Sequence, residues 1–368
     1  MNELQKRVSI VMCTYNGERF LREQIDSLLN QTYPLYEIII QDDSSTDGTR
    51  RVVQEYADKY DTIKPCINKA ERGVNANFFS AMHLATGDYI AICDQDDIWE
   101  KNKIERQMEA IGDNLLCTCR SVPFSTENNI PLNYDKRCPN IGLIRLMYAS
   151  LPGHTLLFKR ELLDRVYPQG EIYTRTYYDV ILSITAAAFD SIVMVNEELV
   201  HQRRNRTSDT YIVPDKHRTR KMGNGLFILG WSVRNYRRMK KYLRWQFLPR
   251  LEYLRNIESD KEVYKDCLKL LECECTPGLL SLLKMTCLFV KYRHTLFYAY
   301  EKDPIAWIRS LLYPLMHVYN YRYCWSRRYI AINKNPPRYR VYCPIPRWIL
   351  FYKAPIHCLP RSSILRKS

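Results

Sequence analysis

The chain has 368 residues, of which 46% are hydrophobic and 26% charged, with only 12 Gly and 18 Pro. That balance excludes global disorder and a Gly/Pro-rich fibre, and the length suits two or three folding units. The net charge of +15 is uneven: residues 1–214 carry 24 Lys/Arg against 30 Asp/Glu (−6), and residues 215–368 carry 31 against 10 (+21). Such asymmetry suggests one part built for chemistry and another meeting an anionic surface, lipid or nucleic acid.

In chain order, Val8–Cys13 is an apolar run of strand length, and Arg19–Leu29 places Leu21, Ile25, Leu28 and Leu29 on one helical face. Glu37–Gln41 is a second, β-branched strand, followed by a helix over Thr49–Tyr60 with Val52, Val53, Tyr56 and Tyr60 at helical spacing. Ile63–Ile67 is a weak strand, Asn77–Leu84 a helix, Tyr89–Cys93 a strand and Lys101–Ile111 a helix. Residues 121–150 read as irregular, and the pattern resumes at Gly153–Lys159 and in a helix over Val180–Phe189. Alternating strands and helices predict an α/β fold with a mostly parallel, doubly wound sheet, whose ligand sits beyond the carboxyl ends of the strands. Beyond residue 215 the chain turns basic, aromatic and helical, so units of 1–214 and 215–368 are expected.

The 13 cysteines contain no C-x-x-C pair; Cys117/Cys119 and Cys273/Cys275 are C-x-C, which fits neither a zinc ribbon nor a redox motif. Free thiols in a reducing cytoplasm are expected. No signal peptide and no spanning helix are expected, since the longest apolar stretch, Leu279 to Val290, is interrupted by Lys284 and runs into Lys291.

Two acidic clusters follow predicted strand ends: Asp42-Asp43-Ser44-Ser45-Thr46-Asp47-Gly48, and Asp94-Gln95-Asp96-Asp97. Carboxylates this close repel unless a cation joins them, and a hard divalent ion such as Mg²⁺ or Mn²⁺ favours a few carboxylates plus substrate phosphates. Helix capping is the ordinary alternative, for which Asp47 before Thr49 is suited. An EF-hand is excluded because its twelfth position would be Gln54. Walker, G-x-G-x-x-G, G-x-S-x-G and H-E-x-x-H patterns are all absent.

Val8-Ser9-Ile10-Val11-Met12-Cys13-Thr14-Tyr15-Asn16-Gly17, Gln31-Thr32-Tyr33-Pro34, Asp42–Gly48, Gly87-Asp88-Tyr89 and Asp94–Trp99, in that order, resemble glycosyltransferase family 2. The likeness continues more loosely to about residue 210, and Asp-Gln-Asp-Asp-Ile-Trp looks most like its bacterial rhamnosyltransferase-like, surface-polysaccharide branch. The resemblance implies a GT-A fold and metal-dependent, inverting transfer of a sugar from a UDP- or dTDP-linked donor to a glycan or lipid-linked saccharide. It implies that Thr14, Tyr15 and Asn16 line the nucleotide, that Asp43 bonds the pyrimidine, that Asp94 opens the Asp-x-Asp signature, and that Asp96 and Asp97 contact ribose and the Mn²⁺ or Mg²⁺ ion. Asp179 matches the general base, with helix N-capping as the alternative. His154 matches an acceptor-side turn or is a packing histidine. Arg203 and Arg204 lie near the diphosphate or form a solvated basic turn.

The basic, aromatic segments Trp231–Phe247, Ile305–Tyr329 and Arg338–Lys353 suit an anionic membrane surface, lying on the inner leaflet of the cytoplasmic membrane without crossing it. A soluble helical accessory region is the plain alternative. A nucleic-acid-binding protein and an inactive transferase-like scaffold are the competing functional readings. The first leaves both acidic clusters unexplained and nucleic acid is not expected as a partner; intact Asp43, Asp94, Asp96, Asp97 and Asp179 argue against the second.

Overall fold

The structure, a computed structural model, describes residues 6–69, 72–132, 134–167, 169–206 and 225–322. The first half alternates as the periodicity requires: β1 (Val8–Thr14), α1 (Glu18–Leu29), β2 (Glu37–Asp42), α2 (Thr49–Ala57), β3 (Ile63–Ile67), α3 (Val74–Leu84), β4 (Tyr89–Cys93), β5 (Ile98–Trp99) and α4 (Lys103–Ile111). There follow β6 (Leu116–Phe124), a single turn α5 (Leu143–Leu146), a 3₁₀ turn at Gly153–Thr155, β7 (Leu157–Lys159), the short helices α6 (Leu162–Arg165) and α7 (Glu171–Arg175), α8 (Tyr178–Ala188) and β8 (Ile192–Arg203).

All eight strands form one sheet in the order β3-β2-β1-β4-β7-β6-β8-β5. The β3-β2-β1-β4 block is parallel, with Thr14 opposite Asp42 and Met12 opposite Cys93. β7 then enters antiparallel between β4 and β6, β8 runs parallel to β6, and β5 closes the far edge antiparallel to β8. The sheet is therefore mixed. Strand β6 runs into the segment expected to be irregular. Its pairing with β8 shifts register on both sides of Arg120, and β7 pairs only with Leu116 and Cys117. Pro123 thus falls where only β8 pairs with the strand, the edge setting that tolerates proline and breaks the sequence pattern.

Side chains alternate across the sheet. Val8, Ile10, Met12, Ile38 and Ile40 pack under α1, α2 and α4, while Val11, Ile39, Ile90 and Ile92 face α3 and α8. That second cluster continues without a break into α9 (Gly225–Arg255), α10 (Glu262–Cys275) and α11 (Leu279–Lys291). The short α12 (Arg293–Leu296), α13 (Asp303–Met316) and a 3₁₀ turn, His317–Tyr321, complete the described chain. The composition break near residue 215 lies outside the described residues.

Charge is buried where the helices meet the sheet domain. Glu274 accepts from Tyr148 Oη at 2.7 Å and from Lys240 Nζ, and lies 3.0 Å from His317 Nε2; all four residues are buried. Burial alone would raise the Glu274 carboxyl, but the charges of His317 and Lys240 hold it well below the usual carboxylate range. Arg250 donates to the Met147 carbonyl and Arg145 to that of Phe297, at 2.8 Å for the latter. Both guanidinium groups are buried on carbonyls, as buried cations require.

Candidate active site

Because β1, β2 and β4 run parallel, their carboxyl ends share one edge, and the loops that follow meet there. Asn16 and Ser44 both adopt left-handed backbone, with φ of 50° and 67°, which turns each chain sharply after its strand. The Asn16 side chain accepts the Thr46 N–H at 2.8 Å, and its own N–H donates to Ser45 Oγ at 2.9 Å. Thr14 is buried and bonds Asp42 Oδ1 at 3.3 Å. Burial raises the Asp42 carboxyl, yet bonds from Ser45 and Arg50, the latter at 2.7 Å, bring it below its ordinary value. Asp42 is a brace. Asp47 is not the N-cap expected of it, since Gly48 holds that position; its carboxylate takes the N–H groups of Thr49 at 3.0 Å and Glu18 at 3.2 Å and so ties the starts of α2 and α1 together.

Asp43, one residue on, accepts from Asn68 Nδ2 at 2.7 Å and from the Gly73 N–H at 3.0 Å. Gly73 sits at φ 126°, a conformation that only glycine adopts cheaply. Two donors leave acceptor sites on a carboxylate for a third.

The loop after β4 carries Asp94, Gln95, Asp96 and Asp97. Gln95 grips the backbone of exposed Tyr15 from both sides, accepting its N–H at 2.9 Å and donating to its carbonyl at 3.1 Å. Asp97 is 1% exposed and takes the Arg203 N–H on Oδ1 at 3.0 Å. His154, also 1% exposed, points Nδ1 at Asp94 Oδ2 (3.1 Å) and at Asp97 Oδ2 (3.3 Å). One ring nitrogen can donate only to one of them, and Asp97 Oδ2 and His154 Nε2 are left buried without a hydrogen-bond partner. Donor atoms of Asp94, Asp97 and His154 all lie within 4.8 Å of one another.

Asp96 stands beside this group, with Oδ2 3.2 Å from Asn205 Nδ2. Burial, then the charges of Asp97 and Asp94, pushes its carboxyl up to about 7. Burial and Asp94 push Asp97 well above the usual range as well. The Arg203 side chain lies between the rings of Phe20 and Phe124, pairs with Glu23, and donates to the Asp96 carbonyl at 2.8 Å. It holds the acidic loop by its backbone. Arg204 donates to Gln202 Oε1 at 2.8 Å.

Asp179 lies in the first turn of α8, where its Oδ1 takes the adjacent Val180 N–H at 2.8 Å. The entry to that helix is fixed by buried Asn75 of α3, which accepts the Tyr178 N–H at 2.8 Å and donates to the carbonyls of Tyr173 and Thr176. Tyr178 stacks on Phe78 with ring centroids 4.0 Å apart. Its hydroxyl rests against Gly153, where an added Cβ would lie 2.2 Å away. Burial, then the charges of Asp94 and Asp179, raises the Tyr178 phenol well above its ordinary value.

The fold thus gathers Thr14, Tyr15, Asn16, Asp43, Asp94, Asp96, Asp97 and His154 at one edge. It groups Asp94, and not Asp96, with Asp97, and it brings His154 to them. Gln95, Asn205, Glu23, Asn75 and Tyr178 were not singled out from the sequence; only Gln95 carried a signal, its place inside the acidic motif.

The glycosyl transferase family 2 model matches residues 9–166. The UDP-Glc:alpha-D-GlcNAc-diphosphoundecaprenol beta-1,3-glucosyltransferase WfgD of Escherichia coli is 39% identical over 107 residues, 29% of this chain and 42% of that one. The dTDP-rhamnosyl transferase RfbG of Shigella flexneri is 33% identical over 163 residues, 41% and 55% of the two chains. The matches span between 30% and 64% of the curated relatives' own length. The fold is similar to that of TarS 1–349 from S. aureus, solved with UDP-GlcNAc, with a TM-score of 0.51 and 14% identity over 87% of this chain and 92% of that one.

Proposed function

Residues 9–166 belong to glycosyltransferase family 2, and on that premise we propose that the chain moves a sugar from a UDP- or dTDP-linked donor to a glycan or lipid-linked saccharide. The transfer inverts the anomeric carbon, requires a divalent cation and serves surface polysaccharide synthesis in the cytoplasm. In this reading residues 1–214 form the catalytic unit and residues 215–368 a helical region on the acceptor or membrane side.

The observation that carries the proposal is the Asp94–Asp97–His154 group, with a carboxylate oxygen and a ring nitrogen both buried without hydrogen-bond partners. A cation among Asp94, Asp97 and His154 Nδ1 would satisfy the Asp97 oxygen and offset the crowding that lifts Asp96 and Asp97. The donor set fits Mn²⁺ or Mg²⁺, which Asp94, Asp97 and His154 would hold; bound there, such an ion supplies charge to stabilise the departing diphosphate.

The remaining work falls to side chains. Asp43 accepts a pyrimidine N–H on its unused acceptor capacity, beside a wall made by Thr14, Tyr15 and Asn16. Asp96 faces the ribose, and Arg204 the diphosphate. Arg203 keeps the acidic loop in place through the Asp96 carbonyl and the Asp97 carboxylate. Asp179, in the first turn of α8 and outside the cation group, is the general base that the family resemblance implies. The acceptor oxygen bonds to the anomeric carbon as the bond from that carbon to the diphosphate oxygen breaks. The acceptor proton passes to the Asp179 carboxylate, and the nucleoside diphosphate leaves.

A thermal-shift series tests this. UDP and dTDP sugars should raise Tm only with Mn²⁺ or Mg²⁺ present, because ligands of the native state stabilise it. Shifts that ignore the cation would remove the metal from the proposal. No shift with any pyrimidine nucleotide sugar under either condition would overturn it.

A further inference from the structure

The sequence places its membrane-facing surface on Trp231–Phe247, Ile305–Tyr329 and Arg338–Lys353, of which the last lies outside the described residues. The first of these turns inward. Ser232, Met239, Lys240, Leu243 and Phe247 are buried, and Trp231 packs edge-on against Tyr319. What the segment presents outward is mainly charge, with Arg234, Arg237, Lys241 and Arg244 exposed beside Val233, while Leu226 and Phe227 are exposed at the start of α9.

A further exposed apolar surface lies on two later helices. On α11, Met285 and Phe289 face the core, while Leu279, Leu280 and Leu283 are 73%, 66% and 55% exposed. At 100° per residue those three cluster opposite the buried pair. On α13, Ala306, Ser310 and Pro314 face inward, and Ile305, Ile308 and Leu311 are exposed with Trp307. The two helices pack side by side, with Phe289 edge-on to Tyr313, so their outward faces adjoin. A helix apolar on every side belongs in a core or a membrane, yet these two have solvent on one side.

We propose that the outward face of α11 and α13 docks in the interfacial layer of an anionic phospholipid bilayer. At 1.5 Å per residue these helices of 13 and 14 residues are about 20 Å long, short of the roughly 30 Å hydrocarbon layer. No helix of the described residues is long and apolar enough to cross a membrane. The helices lie along the surface. Charge selects the occupant. Exposed Lys284 and Lys302 rim the face, and residues 225–322 carry 17 Lys/Arg against 9 Asp/Glu. A second copy would bring the same positive rim against itself, whereas acidic headgroups oppose it.

Flotation of the full chain with phosphatidylglycerol/phosphatidylethanolamine vesicles tests this, with phosphatidylcholine vesicles alongside. The wild type should float with the anionic vesicles, less in high salt, and poorly with phosphatidylcholine. Leu280→Ser/Leu283→Ser/Ile308→Ser, at positions already in solvent, should keep the wild-type Tm and lose at least tenfold in partitioning. Lys284→Glu, which removes no apolar contact, should lose several-fold and serves if the triple variant fails to fold. Wild-type protein that stays unbound at low salt, or variants that float as it does, would overturn the proposal. So would a wild-type dimer in sedimentation velocity that the triple variant dissolves, which would assign the face to a second copy.

Discussion

At the end of β4, buried Asp97 and half-buried Asp96 stand beside Asp94 and His154, and both carboxyls are driven upward although Arg204 and Arg203 partly offset the rise of Asp97. Among the helices, Glu274 is buried at least as deeply, but it meets Lys240, His317 and Tyr148, and its carboxyl is driven down. The physical cost of burial is the same in both places; what differs is whether the fold supplies the countercharge. Where it does, the charge is structure. Where the countercharge falls short, as at Asp97 despite Arg204 and Arg203, the carboxyl stays raised, which is the setting the proposed cation would fill.

The sharpest break of this contrast is chemical. Asp97→Asn should cost about 10³-fold in kcat/KM and abolish the cation-dependent thermal shift, since a cation's charge stabilisation amounts to several kcal/mol. Cation-dependent nucleotide binding that survives in this variant would sink the assignment. Asp179→Asn should keep the donor and cation shifts while lowering kcat by about 10²–10⁴-fold, the usual worth of a general base. Near-wild-type turnover would leave Asp179 only its place in the first turn of α8.

On the other side of the contrast, Glu274→Ala should lower stability by about 3–5 kcal/mol, because it strands a buried ammonium. Urea unfolding measures it, and Lys240→Met/Glu274→Leu should recover most of the loss. The sign with pH follows from the depressed carboxyl: its contribution is present above the unfolded value near 4.5 and is lost as pH falls toward the lower folded value. Urea midpoints of the wild type and Glu274→Gln should therefore converge below pH 4.5. The smallest expected effect runs the opposite way. In EDTA, Asp97→Asn should stabilise the protein by on the order of 1 kcal/mol, because it removes an unmatched buried carboxylate; a destabilised variant would mean that Asp97 braces the fold as Asp42 does.

The parallel half of the sheet was legible because its strands and helices differ in period, and both acidic loops were placed at strand ends by that reading. What failed to read was non-local. Strand β6 is interrupted by Arg120 and Pro123, and it exists because β8, which ends some eighty residues later, pairs along its length. His154 could be noted beside Pro152-Gly153, yet its partnership with Asp94 and Asp97 depends on where β7 inserts. The aromatic density of Trp231–Phe247 suggested an outward face, but Trp231 and Phe247 pack against Tyr319 and Tyr148, and the exposed face of α11 and α13 is mostly leucine and isoleucine, with Trp307, at an ordinary helical period. Composition counted the right residues and could not tell which way they turned.

The three-residue strand β7 also sets an order in time. Strands β1 to β4 are complete by residue 93, and Asp94 and Asp97 follow at once, so a growing chain presents the acids early. The imidazole comes 60 positions after Asp94 and reaches it only when Leu157–Lys159 zips against the open edge of β4. Closing a loop of that length carries an entropic penalty that local pairing does not. The Asp94–Asp97–His154 group is thus complete only once β7 has paired, so the proposed cation would find all three donors late in folding.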